Sequence, residues 1–307
     1  MLPPFRNAFV LTGPTASGKS QLGIEVAERI GAEIVSMDSM ALYRRMDIGT
    51  AKPSLEDRAR VPHHLVDVLE PWESASVAWW LERAATCCGD IEDRGKRALL
   101  VGGTGLYLKA LLRGLFAGPP ADLDLRRRLT EEAARDGNEA LHGRLASVDP
   151  TAALRLHVND LRRIIRALEI WELTGRPASA WQEQWKVAID VPAGAPRVLW
   201  LDVPRPELYA RIDARVDRML AAGLVDEVRG LRELPRPVSR EASQALGYKE
   251  LFDFLDGTTT LEAAAERIRT RSRNYAKRQL TWFRRLQGCL PASRELTFAL
   301  WASTINS

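Results

Sequence analysis

Residues 13–20 carry the signature of a phosphate-binding loop. The pattern G-x-x-x-x-G-K-[ST] is met by the run Gly13-Pro14-Thr15-Ala16-Ser17-Gly18-Lys19-Ser20. An apolar run at 8–11 precedes the loop and a helical pattern at 21–30 follows it, an order that aims backbone N–H groups and a helix dipole at a bound anion. We predict that Lys19 reaches the terminal phosphate and that Ser20 holds a Mg²⁺ ion. The predicted phosphate ligands are Gly13, Thr15, Ala16, Ser17, Gly18, Lys19 and Ser20.

An aspartate stands at the end of the second apolar run. Asp38 follows residues 33–37, close to the expected phosphate site, where its carboxylate can ligate Mg²⁺ or accept a proton. The alternative is that Asp38 only caps the next helix, because aspartate is a good N-cap residue. The polar run at 43–53 predicts a long loop beside it, and long loops at such places are usually functional. The functional interpretation of Asp38 is therefore favoured.

The strand predicted at 98–101 lacks a carboxylate. Enzymes with a phosphate-binding loop that hydrolyse or transfer phosphate often carry an aspartate there. This chain continues instead into Gly102-Gly103-Thr104-Gly105, where Thr104 offers a hydroxyl. The glycines either let a ligand approach closely or serve a tight strand-to-helix turn. The missing carboxylate counts against ATP hydrolysis, although Asp38 is a possible substitute.

Basic residues are concentrated near the C-terminus. Eight basic side chains and no acidic one lie between residues 267 and 285, on a helix predicted over 261–286, whereas the whole chain carries a net charge of only +4. A charge run is usually a solvated face, but acidic partners at i±4 are absent here, so contact with the phosphates of a polyanion is favoured. The positions are Arg267, Arg269, Arg271, Arg273, Lys277, Arg278, Arg284 and Arg285.

Two further arginine groups have helical spacing. Arg162, Arg163 and Arg166 follow a helix start at 159–160. Arg211 and Arg215 share one face of the helix expected after the last strand. This second pair can neutralise a leaving diphosphate, or its members can form surface ion pairs with Asp213 and Asp217.

Alternating strands and helices predict the fold that positions these residues. Strands are expected at 8–11, 33–37, 64–68, 98–101 and 198–202, with helices at 76–91 and 106–112 between them. This order predicts an α/β fold with a parallel sheet flanked by helices, like that of P-loop nucleoside triphosphatases, and ligands at the carboxyl ends of its strands. Residues 118–196, including a helix at 159–174, contain no good strand. We predict a core of 1–117 and 197–307 and an all-helical insertion domain at 118–196.

Composition excludes several classes of protein. No apolar stretch is long enough to span a membrane, and no cleavable leader is expected, so a cytoplasmic protein is expected. Three cysteines offer no disulfide framework. His63 and His64 have no third ligand nearby and are interpreted as loop residues rather than as a metal site. A monomer is the default expectation.

Distinctive segments extend over nearly the whole chain. Besides the loop at 13–20 they are DSMALYRRMDIGTAKP at 38–53, PHHL at 62–65, GGTGLY at 102–107, ND at 159–160 with RR at 162–163 and RALE at 166–169, QALGYKE at 244–250 and YAKRQLTWFR at 275–284. In this order they resemble the tRNA dimethylallyltransferase family, also called tRNA isopentenyltransferases. No zinc-finger extension of the eukaryotic kind follows, so a bacterial form is expected. Ser20 replaces a threonine common in the family but keeps the hydroxyl.

The resemblance implies a reaction and its participants. A dimethylallyl group would pass from dimethylallyl diphosphate to the exocyclic N6 amine of the adenine on the 3′ side of the anticodon, with release of diphosphate and with Mg²⁺ as cofactor. The expected catalytic residues are Asp38, Thr104, Arg211 and Arg215. The residues expected to contact the tRNA anticodon stem and loop are Asp38, Ser39, Met40, Ala41, Thr104, Arg126, Arg162, Arg163, Arg166, Gln244, Gly247, Tyr248, Lys277, Arg278, Gln279 and Trp282.

Two rival functions explain part of the pattern. A small-molecule kinase would use the loop, Lys19 and Ser20, but it leaves the basic segment and the helical insertion unexplained. A non-catalytic RNA-binding protein that senses a nucleotide leaves Asp38 without a task.

Overall fold

The computed structural model describes residues 3–115, 118–182 and 197–302, which form two compact units. One unit contains the described residues of 1–112 and 189–307, and the other contains those of 113–188. The strands of the first unit are β1 (Phe9–Thr12), β2 (Ala32–Ser36), β3 (His63–His64), β4 (Arg97–Gly102), β5 (Val198–Leu201) and β6 (Leu290–Ala292).

Helices follow or separate these strands along the chain. Those before the second unit are α1 (Lys19–Ile30), α2 (Leu55–Arg60), α3 (Val77–Asp93) and α4 (Gly105–Arg113). Those of the second unit are α5 (Leu123–Asp136), α6 (Asn138–Val148), α7 (Pro150–Ala153), α8 (Leu161–Thr174) and α9 (Ala178–Gln182). The last group is α10 (Arg205–Ala221), α11 (Leu224–Arg232), α12 (Arg240–Ser243), α13 (Tyr248–Leu255), α14 (Leu261–Arg285) and α15 (Arg294–Ala302).

The six strands form one parallel sheet in the order β3-β2-β4-β1-β5-β6. Its central strands are apolar on both faces, as expected where helices cover both sides of a parallel sheet. Side chains alternate between the faces: Val10 and Leu100 belong to one buried cluster, whereas Leu11 and Leu99 belong to another. The predicted α/β fold of the P-loop type is confirmed.

The edges of the sheet differ from the prediction. The strand expected at 64–68 is wrong: β3 ends at His64, because Leu65 and Asp67 both take positive φ angles and turn the chain away. His63 and His64 therefore lie in a strand and not in a loop. A sixth strand was not predicted, because β6 is only three residues long and contains Pro291.

The described residues of the second unit form helices and connecting loops, with no strand among them, and have their own apolar core. Leu125 and Leu129 of α5 pack with Leu141 of α6 and with Ile164 and Leu168 of α8. These five side chains are at most 3% exposed. The pattern follows from apolar residues spaced three and four apart on each helix.

The glycine that ends β4 has a packing role. A Cβ atom added at Gly102 would lie 2.2 Å from the carbonyl carbon of Met37, which follows β2. Such a contact is with backbone and cannot be relieved by turning a side chain. Gly102 thus lets the loops after β2 and β4 meet.

No helix of the described residues is long and apolar enough to cross a bilayer.

Gly102→Ala should therefore destabilise the fold. We expect the free energy of unfolding to fall by about 2–3 kcal/mol, the usual cost of forcing extra volume into a packed site. Gly89→Ala is the matched control, since Gly89 lies exposed within α3 with open space around it, and there we expect a gain of about 0.5–1 kcal/mol. Urea denaturation of both variants makes the comparison, and equal stabilities would contradict the packing role.

Candidate active site

The phosphate-binding loop lies between β1 and α1, at the carboxyl edge of the sheet. Ala16 and Gly18 take φ angles of 62° and 88°, which curl the backbone of the loop. Among the described residues, the N–H groups of Ala16, Gly18, Lys19 and Ser20 donate to no protein oxygen. A curved run of free N–H groups at a helix N-terminus binds an anion. The hydroxyl of Ser17 is buried there without a hydrogen-bond partner.

One predicted phosphate ligand has another partner. The N–H of Thr15 donates to Oε1 of Gln279 at 2.8 Å, and Nε2 of Gln279 donates to the carbonyl of Gly103 at 2.7 Å. Gln279 lies on α14 and is only 4% exposed. This side chain ties the loops after β1 and β4 together. The N–H of Thr15 and the side-chain amide of Gln279 are thus bonded to protein groups here, and both residues line the pocket described next.

Lys19, Asp38 and Arg215 line one pocket in the first unit, together with Ser20 and Tyr275. The ammonium group of Lys19 donates to the carbonyl of Pro14 at 3.2 Å. Burial lowers the pKa of Lys19 from 10.5 to about 8, although the nearby Asp38 carboxylate opposes the change. Burial also lowers the pKa of Arg215, and Asp38 again opposes it. Two desolvated cations therefore face a single carboxylate.

Asp38 does not cap a helix. The next helix is α2, which begins at Leu55, so the capping alternative is wrong. Oδ1 of Asp38 accepts a hydrogen bond from the N–H of Met40 at 2.9 Å, which fixes the side chain by a local turn. Next to it, the hydroxyl of Thr104 accepts from the N–H of Ser39 at 3.1 Å. Asp38 and Thr104 thus come together from β2 and β4, as expected for neighbouring strands.

The glycines after β4 face protein atoms. At Gly103 an added Cβ would lie 2.4 Å from Nε2 of Gln279, and at Gly105 it would lie 3.1 Å from the ring of Trp282. Their small size allows close contact with α14, a packing role that differs both from ligand approach and from the tight turn considered in the sequence analysis. Trp282, which was predicted to contact tRNA, is half-buried against this turn.

The two arginines of α10 have different surroundings. Arg211 donates to the carbonyl of Ser17 at 3.3 Å and pairs with Glu207 at 2.5 Å. Arg215 lines the pocket and donates to the carbonyl of Thr50 at 3.4 Å. The proposed surface pairs with Asp213 and Asp217 are wrong, because these carboxylates bind Arg273 and Arg269 of α14 instead.

The loop at 43–53 is held by a lysine that sequence reasoning missed. The side chain of Lys52 is 1% exposed, and its ammonium donates to the carbonyl of Tyr43 at 2.7 Å and to the carboxylates of Asp47 and Asp67 at 2.5 and 2.6 Å. Residues 50–53 of this loop line the pocket. The sequence signal was the polar length of the loop, which did not show which side chain anchors it.

The basic helix α14 is confirmed, but most of its cations are paired. Asp213 and Asp217 of α10 and Glu250 of α13 reach Arg273, Arg269 and Arg271. Glu266, in the preceding turn of α14, also pairs with Arg269 and Arg273. Arg267 lies 3.8 Å from Asp253, and Arg284 lies 4.0 Å from Asp202. In the part of the chain that the structure describes, three of the eight cations have no carboxylate within 4.0 Å, namely Lys277, Arg278 and Arg285.

Several residues expected to bind tRNA have structural partners. Arg126 and Arg166 both pair with the buried carboxylate of Glu169 in the second unit, and Arg163 pairs with Asp160. Arg162 is exposed and has no ion-pair partner within the described ranges.

The candidate tRNA-binding residues at 244–250 also include both buried and exposed ones. Tyr248 is fully buried, with its hydroxyl donating to Glu227 at 2.6 Å, so its side chain is not offered to a partner. Gly247 is also buried, whereas Gln244, the third residue of this segment expected to bind tRNA, is exposed.

The described residues include no group of three or more His, Cys, Asp or Glu side chains placed to hold a metal. The oxygen-bearing side chains that line the pocket include Ser20 and Asp38, whose hydroxyl and carboxylate form the candidate magnesium ligand set. This set is too small to hold Mg²⁺ alone, but it suits an ion that brings phosphate oxygens and waters as its other ligands.

The chain is similar to known proteins over most of its length. Residues 41–286 match the family described as IPP transferase, and residues 6–61 match the family described as isopentenyl transferase. The tRNA dimethylallyltransferase of Geobacter metallireducens is 53% identical over 276 residues, 90% of this chain and 89% of that protein. That of Shouchella clausii is 48% identical over 89% of this chain and 87% of its own.

Solved structures agree with the sequence relatives. The tRNA isopentenylpyrophosphate transferase of Bacillus halodurans matches with a TM-score of 0.68 at 38% identity and covers 98% of both chains. A eukaryotic dimethylallyltransferase acting on tRNA matches with a TM-score of 0.75 at 30% identity, over 97% of this chain and 76% of its own.

Deprotonation of Lys19 should weaken binding of diphosphate. Because its pKa is about 8, the ammonium is charged below pH 8 and loses its charge as the pH rises, so affinity for inorganic diphosphate should fall between pH 7 and pH 9. Calorimetric titration at each pH measures the dissociation constant. Lys19→Arg should abolish the fall, since an arginine stays charged. Identical pH profiles for the two proteins would contradict this role of Lys19.

Proposed function

The chain belongs to the IPP transferase family of tRNA dimethylallyltransferases, and we propose that it transfers a dimethylallyl group from dimethylallyl diphosphate to the N6 amine of the adenine on the 3′ side of the anticodon. One observation supports this most strongly. A phosphate-binding loop and a carboxylate share a pocket, and the neighbouring strand β4 ends at Gly102 and continues into Gly103, with no aspartate there. A loop without hydrolytic machinery suits a reaction in which diphosphate leaves and no phosphorus atom is attacked.

Asp38 is the proposed proton acceptor. The lone pair of the adenine amine is delocalised into the ring, so the amine is a weak nucleophile. Its nitrogen attacks C1 of the allyl group, the C1–O bond to diphosphate breaks, and the proton of the amine passes to the Asp38 carboxylate. The bond from Met40 N–H to Oδ1 orients the carboxylate and leaves Oδ2 without a hydrogen bond among the described residues. Thr104 holds the same turn through Ser39.

Negative charge develops on the diphosphate as the C1–O bond breaks. Lys19, Arg215 and the free N–H groups of the loop are held in place before the substrate arrives, which is the arrangement that stabilises developing charge best. Arg211 supports the loop through Ser17 rather than facing the pocket. A Mg²⁺ ion held by the diphosphate and Ser20 would supply Lewis-acid neutralisation of the leaving oxygens.

The proposed RNA contacts are the cations without acidic partners. Lys277, Arg278 and Arg285 are exposed on α14, and Arg162 is exposed on α8. Such groups neutralise backbone phosphates without desolvating an ion pair first. The target adenine must leave its stack to reach the pocket. We further propose that the protein acts in the cytoplasm as a monomer.

A transfer assay tests the function against its two rivals. The protein is incubated with tRNA and either dimethylallyl diphosphate labelled in the allyl group or γ-labelled ATP. We expect RNA to acquire the allyl label only. Transfer of γ-phosphate would instead indicate a kinase, and tRNA binding without transfer of either label would indicate a non-catalytic binding protein.

Asp38→Asn isolates the proton-accepting role. Asparagine keeps the oxygen that accepts from Met40 N–H but cannot take up a proton, so turnover should fall by about 10²-fold or more. Affinity for tRNA, measured by filter binding, should change much less, and Asp38→Ala should behave alike in turnover. A loss of tRNA affinity equal to the loss of turnover would mean that Asp38 is chiefly a recognition residue.

Lys277→Gln combined with Arg285→Gln tests the RNA-binding face. Each phosphate contact removed should lower the slope of log Kd against log salt concentration by about 1, and Kd at low salt should rise. Arg269→Gln is the matched control, because Arg269 is paired with Asp217 and Glu266 and should leave the slope unchanged. Equal slopes for all three proteins would exclude this face.

A further inference from the structure

The carboxylate of Glu227 collects four hydrogen bonds. It lies in the first turn of α11. Oε2 accepts from the N–H groups of Asp47 and Ile48, each at 2.8 Å, and Oε1 accepts from the N–H of Gly49 at 3.1 Å. Oε1 also accepts from the hydroxyl of Tyr248 at 2.6 Å. Three consecutive backbone N–H groups on one carboxylate fix the path of the chain at this point.

Tyr248 packs against the same part of the loop. An added Cβ at Gly49 would lie 2.4 Å from the ring of Tyr248, so the loop lies directly on the ring. Burial raises the pKa of Tyr248, and the neighbouring Glu227 raises it further, so the hydroxyl keeps its proton and donates. Together with Lys52, whose ammonium group binds the Asp47 carboxylate, these groups hold the loop at 47–52 in place.

The immobilised loop leads directly to the pocket. Thr50 follows Gly49, and its carbonyl accepts from the guanidinium of Arg215 at 3.4 Å. Its hydroxyl donates to the carbonyl of Met46 at 2.6 Å, which closes the loop on itself. Arg215 and Thr50 both line the pocket beside Lys19. A shift of the loop would therefore move the Thr50 carbonyl oxygen, which orients Arg215.

We propose that Glu227 is a positioning residue for diphosphate: by holding the N–H groups of residues 47–49, it sets the Thr50 carbonyl that aims Arg215 into the pocket. The inference deepens the proposed function and rests on it for the identity of the diphosphate substrate. Glutamine cannot replace the carboxylate, because one of its two terminal atoms is an NH₂ donor and would face N–H donors.

Glu227→Gln is the primary test. We expect kcat/KM for dimethylallyl diphosphate to fall about 10-fold, the scale of losing hydrogen bonds to a charged group, while Kd for tRNA stays within about twofold. Glu233→Gln removes the same charge from an exposed site at the end of the same helix and should match the wild type. Tyr248→Phe removes one of the four bonds and should cost about threefold, which keeps the test available if Glu227→Gln does not fold.

A double-mutant cycle separates positioning from general support of the fold. If Glu227 acts through Arg215, then adding Glu227→Gln to Arg215→Ala should lower kcat/KM by less than about twofold further. A full 10-fold loss in both backgrounds, or wild-type activity of Glu227→Gln, would overturn the proposal. Affinity for inorganic diphosphate, measured in parallel, should weaken in Glu227→Gln. The affinity for inorganic diphosphate can be measured even if the wild type does not modify tRNA. Such a lack of modification would refute the proposed function but not the positioning role of Glu227.

Discussion

Two partly buried cations and one carboxylate line a single pocket, and the rest of the structure depends on how they are held there. Lys19 and Arg215 line one pocket with Asp38, and burial lowers the pKa of each cation. Such an arrangement is costly unless an anion completes it. In the proposed reaction, diphosphate supplies that charge, the loop N–H groups bind it, and the Asp38 carboxylate accepts the proton.

Hydrogen bonds between distant parts of the chain hold this pocket in shape without a ligand. Gln279 joins the loops after β1 and β4, and Thr104 joins the turns after β2 and β4. Lys52 and Glu227 both hold the long polar loop by hydrogen bonds. Because these partners are already in place, little reorganisation is needed when charge develops on the leaving group. The proposed alkyl transfer rests on two features of the pocket. Its cations and N–H groups are fixed in place to bind diphosphate, and no aspartate follows β4 to support attack on phosphorus.

The sequence predicted the parts whose signals are local. The loop at 13–20 and the basic helix follow from spacing alone, and four of the five expected strands lie in the sheet close to their expected bounds. The exception is the strand expected at 64–68. The missed features depend on partners that are distant in the sequence. Gln279 looks like an ordinary polar residue of a basic helix, and its hydrogen bond with Thr15 becomes evident only in the folded structure. Likewise Glu227 reads as an ordinary acidic residue in the first turn of a helix, and nothing near it indicates the loop that it binds.

The central claim is that the loop binds a leaving diphosphate during alkyl transfer. The most direct measurement uses dimethylallyl diphosphate that carries one label in the allyl group and another on the terminal phosphate, with tRNA as acceptor in a single turnover. The account predicts that the allyl label enters RNA and that the phosphate label is released as intact diphosphate, in equal amounts. Phosphate label on the RNA, or its release as inorganic phosphate, would contradict the account.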